Sequence, residues 1–125
     1  MKLSNRQIGA VGVSRVASAL FRLGYSVLAP LEDFAGYDLV AEKNGRFVRI
    51  QVKTSEKKDL NRTRYGFMTA KGCNSKEVYK SGVDAFVLWG MDDDIFWLVR
   101  AKDCKRKNYK ATLRTGSSWR ILSDL

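Results

Sequence analysis

The chain has 125 residues, 45% of them hydrophobic, with a single proline and no low-complexity tract, a composition that favours a compact fold with a sizeable core over disorder. Its formal charge of +10 favours polyanionic partners, because basic groups that neutralise phosphates release condensed counterions. With no histidine, and only Cys73 and Cys104 at no metal-ligand spacing, the chain lacks a zinc site and His-assisted Ser or Cys chemistry, and both thiols are expected to be free.

The start, "MKLSNRQIGAVG", has too few consecutive apolar residues for a signal peptide, and no later run approaches the roughly 20 that span a bilayer. A cytoplasmic protein with no membrane partner is expected. From Asn5 to about Leu23 the apolar residues Ile8, Val13, Val16, Leu20 and Leu23 recur at helical spacing. They predict an amphipathic helix capped by Ser4 or Asn5 and stopped at Gly24. "YSVLAP" reads as a short strand ended by Pro30, and "LEDFAG" as a loop. "YDLVAE" and "RFVRIQVKTS" flank an Asn-Gly pair, a strong hairpin signal between two β-rich runs.

Further along, "EKKDLNRTR" reads as a charged loop, "YGFMTA" as a short strand and "SKEVYKSG" as a short helix. "VDAFVLWG" is a buried strand by its continuous apolar run, paired with "DIFWLVR" across the acidic turn "MDDD". "AKDCKRKNYK" follows as a basic helix or loop, and "ATLRTG" as an edge strand. Without repeat or linker, the series predicts a single α+β domain over residues 1–125, a central mixed β-sheet flanked by helices.

Strand alternation puts Arg49, Gln51 and Lys53 in one polar row, and the hairpin brings Asp38 beside it. A carboxylate and an amide oxygen are hard ligands suited to Mg²⁺, which takes few protein groups and fills its shell with water and phosphate oxygens. A neighbouring lysine can orient or deprotonate an attacking water and stabilise charge on a phosphate. The set suits phosphodiester hydrolysis, while each residue alone also fits an ordinary turn or a solvated sheet face.

The order of helix, "LGYSVLAP", "GYDLV", "GRFVRIQVKTS", "GVDAFVLWG" and "IFWLVRAKDC" resembles the PD-(D/E)xK nuclease superfamily over residues from about 8 to 115. Within it the likeness is to small group I intron homing endonucleases and Holliday junction resolvase relatives whose third motif reads Gln-x-Lys. The resemblance implies a restriction-endonuclease-like core and a metal-dependent DNA endonuclease using Mg²⁺, with Mn²⁺ able to substitute. It makes Asp38 the metal ligand of the second motif, Gln51 a ligand or ligand-orienting group, Lys53 the motif lysine and the Val52 carbonyl a further ligand. Tyr37 stands where the superfamily name has proline. Relatives usually carry a helix glutamate at the place that Val13 occupies here, and Glu32 or Asp33 is a candidate replacement.

Basic groups are expected along the track of a bound DNA, duplex or branched. Lys57, Lys58, Arg62, Arg64 and Lys71 follow the motif, and Lys105, Arg106 and Lys107 lie in a second cluster with Lys102, Lys110 and Arg114. Tyr65, Phe67 and Trp119 are candidate stacking residues, with Trp119 the expected exposed anchor. Trp89, Phe96 and Trp97 fall in apolar strand runs and read as core or dimer packing. Cutting both strands with so small a nuclease implies a homodimer or a higher homo-oligomer. The rival reading is a nuclease-fold module that binds DNA or RNA without cutting, its catalysis lost with the helix glutamate.

Overall fold

The computed structural model describes residues 1–32, 35–68, 82–104 and 108–125, with the side chain of residue 68 left aside. Asp33, Lys71, Cys73, the "SKEVYKSG" helix, Lys105, Arg106 and Lys107 lie outside the described residues or extend beyond them.

Helix α1 spans Asn5–Arg22. It begins at Ser4, whose hydroxyl accepts the Gln7 N–H at 3.2 Å while the Gln7 side chain accepts the Ser4 N–H at 2.7 Å. This reciprocal cap satisfies two of the donors that a helix start leaves unpaired. The chain leaves α1 at Gly24, whose φ of +89° suits a residue without Cβ. Gly12, Val16, Ala19 and Leu20 are the buried face of α1.

Strands β1 (Ser26–Leu28), β2 (Leu39–Lys43), β3 (Arg46–Ser55), β5 (Ala85–Gly90) and β6 (Ile95–Arg100) form one sheet in the order β1-β2-β3-β5-β6. Among the described strands only the β3–β5 pairing is parallel and the others are antiparallel, so the sheet is mixed. The β2–β3 turn is the expected Asn44-Gly45, both residues at positive φ, 55° and 79°. Strands β4 (Arg64–Met68) and β7 (Asn108–Thr112) pair antiparallel in a separate two-stranded sheet. Of the edge strand expected at "ATLRTG" only Ala111 and Thr112 are strand, the end of β7, and Leu113–Thr115 turn as a 3-10 helix instead.

The two faces of the main sheet have separate cores. Val48, Ile50 and Val52 of β3 pack with Val87 and Trp89 against Val16, Ala19 and Leu20 of α1, and residues 122 and 125 close this layer. On the other face Phe86, Leu88 and Trp97 meet Tyr65, Phe67 and Ala111 of the small sheet. Each fully buried Leu, Ile or Phe contributes about 1.5–3 kcal/mol of transfer free energy, so covering both faces of β5 anchors the strand beside β3.

The Met91–Asp94 turn ties these layers together. Asp94 receives two hydrogen bonds from the Arg15 guanidinium at 2.9 Å and one from the Trp89 indole at 2.7 Å. Asp93 receives Lys58 at 2.8 Å and the Tyr65 hydroxyl at 2.6 Å. Arg15 and Lys58 hold these carboxyls below the usual carboxylate range. Among the described residues no helix is long and apolar enough to cross a membrane. Cys104 is buried and is not the free thiol that composition led us to expect.

Candidate active site

Strand β2 starts at Leu39, opposite Ile50, so Asp38 sits just outside the ladder on the β3 side. Its N–H donates to the Ile50 carbonyl at 2.8 Å, and its carboxylate Oδ2 accepts the Val52 N–H at 2.8 Å. A strand N–H that β2 no longer reaches is thus satisfied by a side chain, and the half-buried carboxylate is locked against the Val52 peptide. The hairpin argument brought Asp38 to the row, and the structure bonds it to the Val52 peptide, which lies between Gln51 and Lys53 in sequence. Its Oδ1 accepts no hydrogen bond among the described residues.

Gln51 and Lys53 are half-buried on the face of β3 away from α1, in register with Phe86 and Leu88 of β5. Lys53 has neither an ion pair nor a hydrogen bond among the described residues. Among the described residues nothing competes with an anion for its ammonium. Arg49, in the same row, is committed: its guanidinium makes two 3.0 Å bonds to Asp84, whose Oδ2 also accepts the Arg49 N–H at 2.8 Å. The Arg49 hydrogen bond lowers the Asp84 pKa, and the same bond raises that of Arg49.

Helix α1 crosses β3 at this level. A Cβ built on Gly12 would lie 1.7 Å from Thr54 Oγ1, so only glycine lets the helix approach so closely. Thr54 Oγ1 is itself buried without a hydrogen-bond partner among the described residues. Sequence reading passed over this contact, although a glycine inside an amphipathic helix was a signal for it. Val13, next along, is half-buried and packs on the edge of the α1-side core, as its place on the apolar stripe predicts. No residue of α1 is acidic, and among the described residues no three His, Cys, Asp or Glu side chains gather. Glu32 is exposed.

A sequence profile described as PD-(D/E)XK endonuclease matches residues 3–119. The chain belongs to the PD-(D/E)XK endonuclease family. In structure it is similar to the bacterial homing endonuclease I-Ssp6803I, with a TM-score of 0.75 and 19% identity over 89% of this chain and 77% of that one. It is also similar to Hjc, a Holliday junction resolvase from the hyperthermophilic archaeon Archaeoglobus fulgidus, with a TM-score of 0.60 and 13% identity over 93% and 95% of the two chains. These likenesses establish the fold: an α+β, restriction-endonuclease-like arrangement. No curated protein matches the chain by sequence.

PD-(D/E)XK nucleases in general use divalent metal ions, and the donors present fit one sparsely. Asp38 offers one carboxylate oxygen, Gln51 an amide oxygen and Val52 a carbonyl, all hard donors, and Mg²⁺ is commonly held by one or two carboxylates with water and phosphate oxygens completing the shell.

The family's expected binding residues are distributed unevenly. Lys57 and Arg62 are exposed on the loop after β3 and have no ion pair among the described residues. Lys58 is bonded to Asp93, and Arg64 to Asp59 at 3.1 Å, so each would have to exchange its carboxylate for a phosphate. Lys102, Lys110 and Arg114 are exposed. Tyr65 and Phe67 are buried in the second core and offer no face to a base. Trp119 is not the exposed anchor that the sequence suggested: it packs on the first core, with Arg22 and Arg120 at 4.4 and 4.7 Å from its ring.

Proposed function

We propose that the protein is a metal-dependent DNA endonuclease that hydrolyses phosphodiester bonds at Asp38, Gln51 and Lys53. One observation carries the reading: Asp38 is fixed to the Val52 peptide with one oxygen that has no partner among the described residues, and Lys53, unpaired among those residues, stands next along the same strand. Asp38, Gln51 and the Val52 carbonyl would hold the ion, Mg²⁺ by donor chemistry with Mn²⁺ able to substitute. When bound, a divalent ion polarises the phosphoryl oxygen and makes water a stronger nucleophile.

The chain's own groups do the rest. Lys53 draws the scissile phosphate to the site, orients the attacking water and stabilises the negative charge that builds on the non-bridging oxygens as the leaving oxygen departs. Gln51 fixes the attacking water or the ligand geometry. Asp38 is held in place by the Val52 N–H, so its oxygen meets the reacting group without reorganisation. Two copies related by a two-fold axis would present two such sites, one to each strand.

A second reading has its own support in α1, which carries no carboxylate: a nuclease fold that binds nucleic acid and no longer cuts. Supercoiled plasmid and a four-way junction, incubated with Mg²⁺ or Mn²⁺ and then with EDTA, separate the two. Cleavage that requires metal and disappears in Asp38→Ala and Lys53→Ala is expected. Metal-independent binding without cleavage, unchanged in Asp38→Ala, would overturn the enzyme reading in favour of the binding module. In either case affinity should fall as salt rises from 50 to 200 mM, by about 10³–10⁵ if 6–10 phosphates are contacted.

A further inference from the structure

The face of β3 that carries Gln51 and Lys53 continues toward the hairpin as Arg49 and then Phe47. Phe47 is 60% exposed, although strand alternation places it on that same face. Its cross-strand neighbour on β2 is Glu42, half-buried. Phe47 borders a groove of about 860 Å³ whose charged lining comes from Arg46, Arg49, Asp84, Arg100 and Lys102.

The charges of this groove are arranged for an anion. Arg49 is neutralised by Asp84. Arg100 donates to the Asp124 backbone oxygen, which orients it without cancelling its charge, and Arg46 donates to an oxygen of Leu125. Lys102 is exposed and has no ion pair among the described residues. An aromatic ring open to solvent, set among uncancelled cations, is the combination that binds single-stranded nucleic acid, with the ring stacking on a base and the cations following the backbone. A second copy of the chain is the other candidate occupant of an exposed aromatic. At this groove it would bring the same basic lining, and like charges facing each other repel.

We propose that Phe47 and this groove form a base-stacking subsite of the substrate track. It receives a base unstacked from the DNA while the phosphate lies at Gln51 and Lys53. The inference rests on the DNA-endonuclease reading and deepens it. Phe47 and Gln51 are four residues apart on one strand, about 13 Å at the rise of a β-strand. A DNA strand advances about 3.4 Å per nucleotide, so the stacked base lies about four steps from the reacting phosphate. The substrate class that follows is DNA whose stacking is already interrupted, at a branch or an unpaired base, or is opened by a wedging ring.

The test uses the full chain and a four-way junction carrying 2-aminopurine singly at each of the positions nearest the branch, with binding measured at fixed salt. Wild-type protein should change the emission at one position or a few adjacent ones. Phe47→Ala should abolish that change and weaken binding by about 5- to 150-fold, the range for one lost base–aromatic stack. Phe47→Trp should keep both signals. Phe21→Ala, an equally exposed ring at 61% on the α1 face, should alter neither. Wild-type binding with an emission change and affinity that Phe47→Ala leaves intact would overturn the subsite while leaving the endonuclease reading in place. A dimer that dissociates in Phe47→Ala, with DNA affinity per chain unchanged, would overturn it in favour of a contact between copies. Failure of the wild type to bind any DNA would remove both proposals together.

Discussion

Replacing Gly12 and Gly9 by alanine should move stability in opposite directions, although both lie in the same helix and the change is the same. At Gly9 nothing lies within 4 Å of an added Cβ, so Gly9→Ala should gain the helix-propensity difference, up to about 1 kcal/mol. At Gly12 the added methyl would fall 1.7 Å from Thr54 Oγ1, 2.9 Å from Thr54 Cβ and 3.2 Å from Thr54 Cγ2. Rotating the threonine hydroxyl away does not clear the Cβ contact, so α1 or β3 must shift. Overpacking of this kind costs about 1–3 kcal/mol and sometimes more, which exceeds the propensity gain. The net loss of up to about 2 kcal/mol corresponds to up to roughly 8 °C in Tm for a domain of this size. Urea and thermal denaturation followed by circular dichroism read both variants. Thr54→Ala should relieve part of the loss in a double-mutant cycle, and alone should be neutral or stabilising because it removes a buried hydroxyl without a partner among the described residues. Equal and stabilising effects at both glycines would refute the close approach of helix and strand.

Three other outcomes follow from the site and its supports. Asp38→Asn keeps an acceptor for the Val52 N–H but not the charge, so cleavage should drop at least about 100-fold with Tm nearly unchanged. Asp38→Ala should also cost about 1–3 kcal/mol of stability by stranding that N–H. Val13→Glu should tighten Mn²⁺ binding in calorimetry and raise cleavage, and no change in either would mean that Val13 does not face the ion. The pH dependence has a definite sign. Asp84 and Asp94 titrate below their ordinary 3.8 when folded, chiefly through hydrogen bonds from Arg49 and Arg15. Between the lowered values and 3.8 the unfolded chain holds more protons, so the stabilisation present above 3.8 is lost as pH falls through the folded pKa. Acid titration of stability should be shallower in Asp84→Asn and Asp94→Asn than in the wild type.

Local patterning made most of this architecture legible. The helix ends follow from Ser4 and Gly24, the hairpin from Asn44-Gly45, and the inward side of β3 from the alternation of Val48, Ile50 and Val52. The second layer was hidden because "YGFMTA" and "ATLRTG" are far apart in sequence, and only their pairing shows that Tyr65 and Phe67 are core rather than stacking residues. Trp119 was misread for the same reason: its packing partners come from α1 and the first core, which the tail sequence does not encode. The ion pairs of Arg49, Lys58 and Arg64 likewise join residues whose adjacency is tertiary or set by a loop, so all looked like available cations. Phe47 escaped notice because an aromatic in a β-rich run is expected to be buried, and alternation alone does not say that its face is uncovered.

The pattern of cancelled and uncancelled charge bears on how a strand would be read along β3. Asp59, Asp84, Asp93 and Asp94 each hold one Lys or Arg in place, so these acids stiffen loops rather than set the field outside the protein. The uncancelled cations then matter most where they flank the polar row. Lys57 and Arg62 lie beyond Lys53 at one end, and Arg100 and Lys102 border the Phe47 groove at the other. From Phe47 to Lys53 is about 20 Å along the strand, close to the advance of six nucleotides. A polyanion gripped at both ends of that span must pass Asp38, a carboxylate with no ion pair among the described residues. Repulsion between Asp38 and the passing phosphate is then relieved only by a cation between them, a role that Lys53 shares with a divalent ion. Removing Lys53 should therefore raise the metal concentration needed for half-maximal cleavage as well as lower the maximal rate. Removing Lys57 or Lys102 should weaken DNA binding and reduce its salt slope by about one contact each, leaving the metal requirement where it was.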